Sequence, residues 1–315
     1  MSRNRFFLAP TSSVLFLALI IPVTACRKSP VPPPAIETFA TPDQAGAALA
    51  AAAKAGDENA IPAIFGAGSK EVVLSGDAVQ DKNAAQAFAA RYAVMHRWRE
   101  MPDGSLTLVV GADNFPFAIP LKKNDSGQWF FDLAAGKNEM LSRRIGRDEL
   151  ATIDTCRAVA DAQAQYFSQL HDGQTTKQYA VKFISDPGKQ NGLYWKSSDG
   201  QPDSPLGPLA AFATSEGYKA KPDAHTAFHG YYFKMLTAQS DKAEGGAKDY
   251  LVNGKMVNGF AFVAYPAVYG NSGVMTFIVN QSGVVLQKDL GKNTAEIATA
   301  MTTFDPGDGW TPVQE

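Results

Sequence analysis

The sequence has few cysteines and no excess of charge of either sign. Only two of its 315 residues are cysteines, Cys26 and Cys156, and 29 basic against 31 acidic residues give a formal net charge of −2. A chain without a basic excess is not expected to bind the phosphate backbone of a nucleic acid. With so few cysteines, the fold must be stabilised by its hydrophobic core and not by a set of disulfides.

The sequence also lacks the short motifs that bind nucleotides or build a nucleophilic site. It contains no Gly-x-Ser-x-Gly turn, and no glycine-rich phosphate loop follows a predicted strand. These absences argue against serine hydrolases of that type and against nucleotide-dependent enzymes, and no cofactor is expected. Apolar residues make up 45% of the chain and aromatic residues 10%, which indicates a folded protein.

The first 25 residues have the layout of a secretory signal, which is removed from a mature protein. Arg3 and Arg5 give a positive start, and an uncharged apolar stretch follows. Val23-Thr24-Ala25-Cys26 then resembles the lipobox at which bacterial lipoproteins are cut and lipidated. We therefore predict that residues 1–25 are a lipoprotein signal peptide and that Cys26 is the site of lipidation.

Two other interpretations of this leader remain open. Phe6 to Ala25 is a run of 20 uncharged residues, which is long enough to span a bilayer. Pro10 and Pro22 interrupt that run, however, and its densely apolar part is short. Cleavage after Ala25 without addition of lipid is the second alternative.

A lipid anchor at Cys26 would hold the folded chain in the cell envelope, on the periplasmic side. Arg27 and Lys28 follow the cysteine with no aspartate next to it, which favours the outer membrane over the inner one. Residues 26–37 contain four prolines and are predicted to form an extended tether. If Cys26 carries the lipid, Cys156 has no partner, and a buried inert thiol is favoured there over a nucleophile.

Residues 38–140 are predicted to form a first α+β domain. Thr41-Pro42 marks the start of a helix, and further helical segments extend to about Trp98. Strands are predicted over 105–110, 117–121 and 128–132, with a turn at 124–127. This order of helices followed by an antiparallel meander resembles the nuclear-transport-factor-2-like cone, in which a curved sheet wraps around helices.

Residues 141–315 are predicted to form a second α+β domain that begins with a long helix over about 147–170. A loop-rich middle at 183–227 precedes strands at 231–236, 259–265, 274–279 and 284–289 and a last helix at 294–302. A long helix packed on an antiparallel sheet, together with the sequences of the first three strands, resembles the heads of type IV pilins and pseudopilins. No apolar membrane helix with the pilin glutamate precedes Arg143, so the resemblance implies a head and not a filament subunit.

Over its mature length the chain also resembles a bacterial envelope family known as domain of unknown function 2950. The segments that carry this resemblance are Arg143-Arg144-Ile145-Gly146, Gly192-Leu193-Tyr194-Trp195, Ser204-Pro205-Leu206-Gly207-Pro208, His229-Gly230-Tyr231-Tyr232, Gly259-Phe260-Ala261 and Lys288-Asp289-Leu290-Gly291. The family implies no established activity, so the resemblance leaves the function open.

Aromatic residues concentrate around one irregular segment of the second domain. The candidate binding residues among them are Tyr194, Trp195, Phe228, Tyr231 and Tyr232. Tyrosine and tryptophan are frequent where proteins bind partners or sugars, because they are large and carry a polar end. Packing of a long loop against the core would explain the same residues without any ligand.

Two histidines in this region, His225 and His229, are four residues apart. On a helix, that spacing would present both rings to one metal ion. Pro222 before them and Gly230 after them argue against a helix, so no metal is expected. Both histidines are retained as candidate binding residues.

Charged residues offer two further candidates. Arg143, Arg144 and Arg147 could bind an anion or the acidic face of the first domain, or they could form a salt network on the linker side. Asp148-Glu149 and Asp186 could supply paired carboxylates for sugar hydrolysis. Asp148-Glu149 fall in the predicted first turn of a helix, however, where the helix dipole alone favours negative charge.

Together these patterns predict a non-enzymatic envelope lipoprotein with two α+β domains that binds a partner protein or an envelope polymer. The alternative is a periplasmic hydrolase of envelope polymers that uses His225, His229 or Asp186.

Overall fold

The structure is a computed structural model that describes residues 36–197, 202–219 and 226–314. The predicted signal peptide, the lipidation site at Cys26, nearly all of the tether and His225 lie outside these residues. Within them, no helix is long and apolar enough to cross a membrane.

The chain begins with four helices whose ends follow from their sequences. These are α1 (Pro42–Ala55), α2 (Ala60–Phe65), α3 (Lys70–Val73) and α4 (Ala78–Val94). The Thr41 hydroxyl accepts a hydrogen bond from the Gln44 amide at the start of α1, which confirms the predicted helix cap. At the start of α4, the Asp77 carboxylate accepts from the amides of Val79 and Gln80.

A first antiparallel sheet follows these helices. Its strands are β1 (His96–Glu100), β2 (Leu106–Val110), β3 (Phe115–Pro116), β4 (Leu121–Lys123) and β5 (Trp129–Phe131). They are ordered β1-β2-β4-β5, and β3 also pairs with β2. The prediction of a helix to about Trp98 was wrong at its end, because Trp98 lies in β1 opposite Leu108. The helices cover this sheet around a core that includes Phe39, Phe65 and Phe131.

A single helix, α5 (Leu133–Ser168), connects the two parts of the fold over 36 residues. The Asp132 carboxylate accepts from the Ala135 amide at its start. The predicted helix began only at about residue 147, and the predicted boundary between residues 140 and 141 falls inside α5. The polar run after Gly136 has the composition of a linker, but it is helical, and Gly136 near its start packs against the backbone of Ile119.

The remaining described chain adds two α-helices, a short 3-10 helix (Gly291–Asn293) and three sheets, the main one of which we call the second sheet. The elements are α6 (Gly207–Glu216), β6 (Tyr231–Leu236), β7 (Ala238–Gln239), β8 (Lys248–Asp249), β9 (Leu251–Val252), β10 (Lys255–Met256), β11 (Ala261–Pro266), β12 (Met275–Asn280), β13 (Leu286–Asp289), α7 (Thr294–Ala300), β14 (Thr303–Phe304) and β15 (Thr311–Pro312). The main sheet is antiparallel and has the order β15-β13-β12-β11-β6. The four predicted strands and the last helix are confirmed, whereas α6 lies in a region predicted to be loop.

The second half of α5 packs on this sheet. Cys156, Val159 and Tyr166 of α5 share a hydrophobic core with β11 and β12, and all six residues of β11 are buried. Helices and antiparallel sheets are thus combined throughout the described chain, which confirms the α+β class.

Candidate functional site

The described chain contains a partly open apolar cleft with a volume of about 220 Å³ between α5, α6 and β6. We call it the α6 cleft. Its apolar lining is formed by Val159, Phe183, Ile184, Tyr194, Leu206, Leu209, Ala210, Ala213, Tyr218, Ala227, Phe228 and Phe233. Thr155, Thr214, Thr226 and Lys219 supply the polar part of its wall. The cleft therefore suits an apolar group, with one cation available beside it.

The α6 cleft has one wall made by a tightly folded loop. The Tyr194 amide donates to the Phe183 carbonyl at 2.9 Å, and the Ser185 amide donates to the Tyr194 carbonyl at 2.8 Å. A Cβ atom on Gly192 would lie 2.6 Å from the Ser185 nitrogen, so only glycine permits this close approach. The segment 192–195 thereby fixes the Tyr194 ring in the cleft wall.

The opposite wall, α6, is held by hydrogen bonds that follow its last turn. The Tyr218 hydroxyl donates to the Asp77 carboxylate at 2.7 Å, and the Gly230 amide donates to the same oxygen at 3.2 Å. Burial raises the pKa of Tyr218, and the hydrogen bond to Asp77 acts in the same direction, so the phenol stays protonated. Asp77 thus connects the start of α4 to both α6 and β6.

The predicted aromatic candidates separate into two groups. Tyr194 and Phe228 line the α6 cleft. Trp195 is buried and donates its ring N–H to the Pro202 carbonyl, and Tyr231 is buried and donates to the Met275 carbonyl. Tyr232 is partly buried and packs against the ring of Tyr265. Packing within the fold therefore explains Trp195, Tyr231 and Tyr232 without a ligand.

His229 lies at the edge of the α6 cleft, next to Phe228. Its Nε2 atom is 2.8 Å from a carboxylate oxygen of Glu216, and its ring stacks near Phe212 with 6.1 Å between centroids. Its φ angle of +50° places it in a turn and not in a helix. Among the described residues, no serine, threonine or cysteine side chain hydrogen-bonds to this ring, and no group of three or more metal-ligating residues is present.

The third carboxylate considered, Asp186, is engaged in a local surface network. It accepts from Lys182 at 2.7 Å and from the Asn191 side chain at 2.8 Å. These two hydrogen bonds hold the pKa of Asp186 below its ordinary value. An ionised, paired carboxylate at the surface is poorly suited to act as a general acid.

The three arginines of the predicted cluster lie in different environments. Arg143 pairs with Glu139 at 2.7 Å and lies over the ring of Phe115, on the surface of the first half. Arg147 is exposed and pairs with Asp148 at 3.1 Å. Arg144 is buried, and it is the one that bridges distant parts of the chain.

Arg144 joins the third helix to a loop of the second sheet. Its guanidinium donates to the carbonyls of Val72 and Val73 and to the Asn271 side chain. Asn271 in turn donates to the carbonyls of Glu71 and Leu74. The predicted contact role therefore fits Arg144, and its partners could not be identified from the sequence.

Asp148 lies in the middle of α5 and not in the first turn of a helix, so the dipole argument for it was wrong. Its carboxylate is fully buried, accepts from the Gln80 side chain at 2.8 Å and from Arg147, and has one oxygen without a partner among the described residues. Burial raises the pKa of Asp148 to about 6, although Arg147 opposes the shift. No local signal in the sequence indicates that Gln80 lies beside Asp148.

In the comparison with known proteins, a family model matches residues 36–313 of the chain. No curated protein and no solved structure matches the chain. The matched segment includes α5, the two five-stranded sheets and every residue of the α6 cleft. The chain therefore belongs to the family described as Protein of unknown function (DUF2950).

Proposed function

We propose that this chain is a non-enzymatic binding or assembly module of the bacterial cell envelope. A lipid on Cys26 anchors it on the periplasmic side, with the outer membrane favoured over the inner one, and residues 26–37 act as the tether. Its α6 cleft receives an apolar group of a partner protein or envelope polymer.

The observation that carries this proposal is the α6 cleft itself. The cleft is partly open, and its lining is mostly apolar. Exposed apolar concavities on a folded protein commonly mark binding sites. Rings of Tyr194 and Phe228 contribute to its wall, and aromatic side chains dominate the energetics of many interfaces.

The proposed architecture has two domains, residues 38–140 and 141–315. Two separate hydrophobic cores support this division, one around Phe131 and one around Phe262. The first domain is proposed to be cone-like, and the second to resemble a pilin head because half of α5 packs on an antiparallel sheet. Such scaffolds bind in many proteins, but a fold alone does not determine function.

A periplasmic hydrolase of envelope polymers is the second candidate. The close pair of His229 and Glu216 at the edge of the α6 cleft favours it, because a carboxylate can orient a histidine for general-base catalysis. The described residues offer this pair no nucleophile, so the binding module is preferred.

The cleft can be tested by filling it. Ala213 lines the α6 cleft, whereas Ala211 lies on the exposed side of the same helix. We expect toluene, indole and N-phenyl-1-naphthylamine to shift the methyl resonances of Val159, Ile184 and Leu209 in the wild-type protein. Ala213→Phe should abolish these shifts, and the matched control Ala211→Phe should preserve them. If none of the three probes shifts these methyl groups, the cleft is not a binding site.

Lipidation of Cys26 and hydrolysis of envelope polymers are tested by separate experiments. Mass spectrometry of the mature protein should find a diacyl or triacyl group on Cys26, and Cys26→Ser should release the protein from the membrane fraction. The binding proposal also requires that purified protein does not hydrolyse peptidoglycan or envelope polysaccharide. A hydrolysis that His229→Ala abolishes would favour the second candidate instead.

A further inference from the structure

The outer edge of β6 has backbone groups that point away from its neighbour β11. In an antiparallel pair, successive residues alternate between bonding to the neighbour and pointing away from it. The Ala267 amide donates to the Gly230 carbonyl at 2.8 Å, and the register continues with Tyr232 opposite Tyr265. The even-numbered residues of β6 therefore bond to β11, while the amides and carbonyls of Phe233 and Met235 point outward.

Both ends of this edge are closed by the chain itself. Tyr231 exchanges backbone hydrogen bonds with Phe228 at one end, and the Thr237 amide donates to the Thr302 carbonyl at the other. Between them, no described residue bonds to the backbone of Phe233 or Met235. This open stretch of four backbone groups, which we call the β6 gap, has the length of a short strand of about three residues.

The β6 gap lies directly beside the α6 cleft. The Phe233 side chain lines the cleft together with Phe228, which closes one end of the gap. An extended chain bonded to the gap would alternate its side chains across the sheet, so that one of them faces the cleft.

We propose that an extended polypeptide segment of a partner protein adds to β6 at Phe233 and Met235 and inserts one large apolar side chain into the α6 cleft. This inference rests on the proposed function and names the chemical class of the ligand. Backbone hydrogen bonds would supply part of the affinity, and the cleft would select the side chain.

The size of the cleft favours one side chain over a larger ligand. Its volume of about 220 Å³ is below the roughly 300 Å³ at which pockets for drug-sized molecules begin. It exceeds the roughly 150 Å³ of a cavity that accepts benzene. Phenylalanine, leucine or methionine therefore fits, and a polysaccharide does not match the apolar lining.

The charge of Lys219 at the cleft indicates which type of residue should neighbour the apolar residue in the bound peptide. Lys219 is exposed at the cleft, and none of the described acidic residues forms an ion pair with it. An acidic residue beside the apolar one would complement this cation. A second copy of the chain is disfavoured as the occupant, because its own β6 edge is closed at the same two places.

The test starts from an immobilised library of random heptapeptides, screened with the purified mature protein. We expect the selected peptides to share one aromatic or long aliphatic residue with an acidic neighbour. In a selected peptide, N-methylation at alternate residues should weaken binding roughly tenfold, and N-methylation at the intervening residues should leave it unchanged.

Variants of Met235 separate the backbone from the side chain. Met235→Pro removes the outward amide and leaves the bonds to β11 in place, so peptide binding should fall roughly tenfold. Met235→Ala keeps that amide and should bind normally. Amide resonances of β11 would verify that both variants are folded.

Three outcomes would overturn the inference. They are a library that yields no binder, a Met235→Pro variant that binds the peptide like the wild type, and a dimer in ultracentrifugation that Met235→Pro abolishes. If small apolar probes still occupy the cleft in any of these cases, the proposed function stands and only the peptide ligand is wrong. If the probes also fail, the proposed function fails with it.

Discussion

The side-chain amide of Gln80 in α4 donates a 2.8 Å hydrogen bond to the buried carboxylate of Asp148 in α5. One oxygen on each of these two side chains is buried and has no partner among the described residues. A proton on Asp148 would turn its unpartnered oxygen into a donor. Burial already favours that protonated form, since it raises the pKa of Asp148 to about 6.

Protonation of Asp148 should therefore appear in the pH dependence of stability. Its folded-state pKa lies above the ordinary 3.8, so the stabilising effect of the proton is complete below about pH 4 and is lost as the pH rises through about 6. This group alone should lower the free energy of unfolding by about 3 kcal/mol over that interval. Asp148→Asn should remove that decrease, as measured by urea unfolding of both proteins at several pH values. Parallel curves for the two proteins would contradict the assignment.

Arg144 should be among the most sensitive positions for stability. Its replacement by methionine leaves the carbonyls of Val72 and Val73 and the Asn271 side chain without their charged donor. We expect a loss of roughly 3 kcal/mol or more in urea unfolding, since each bond to a charged donor contributes roughly 1.5 kcal/mol or more. Arg157→Met is the control, because among the described residues Arg157 pairs with Asp154 at the surface, and its loss should lower the free energy of unfolding by less than about 1 kcal/mol.

Two glycines of α5 should respond in opposite directions to alanine. A Cβ atom on Gly136 would lie 2.5 Å from the Ile119 Cα atom, whereas one on Gly146 would meet nothing within 4 Å. Gly146→Ala should stabilise the protein by up to about 1 kcal/mol through helix propensity. Gly136→Ala should destabilise it by roughly 1–3 kcal/mol through overpacking. Thermal unfolding measures both, and a stabilised Gly136→Ala protein would show that α5 does not pack this closely on Ile119.

Cys156 should react with thiol reagents only when the protein unfolds. Its side chain is completely buried, and burial raises the pKa of the thiol. In a Cys26→Ser variant, Cys156 is the only thiol, so labelling by a chromogenic disulfide reagent reports on it alone. The labelling rate should follow the unfolded fraction as urea increases. Rapid labelling in the absence of urea would instead indicate an accessible nucleophile.

The sequence predicted those strands and helix ends that are marked by a pattern of neighbouring residues. The strands at 231–236 and 274–279 were recognisable from β-branched and aromatic runs between turn residues, and Thr41-Pro42 gave the start of α1. The helix α6 was missed because its start, Leu206-Gly207-Pro208, was interpreted as loop. Proline in the first turn of a helix is compatible with both interpretations.

The site depended on contacts that no local pattern contains. Asp77 reaches Tyr218 and Gly230, which are 141 and 153 residues away in sequence. The residues next to Asp77 in the sequence indicate only a turn and the start of a helix. Of the aromatic candidates, Tyr194 and Phe228 line the α6 cleft, whereas Trp195 and Tyr231 are packed in the core. Residue type and local sequence could not distinguish these two groups.

The continuous helix α5 has a consequence for dissecting this protein. A gene divided after codon 140 would leave the first fragment with only Leu133–Met140 of that helix, about two turns, and short isolated helices are marginal in water. The second fragment would begin with an exposed helical end that has lost the hydrogen bonds from Arg143 to the Pro116 carbonyl and from Arg144 to the Val72 and Val73 carbonyls. Neither fragment would keep the shared element intact, so we expect the two cores to melt together in a single calorimetric transition.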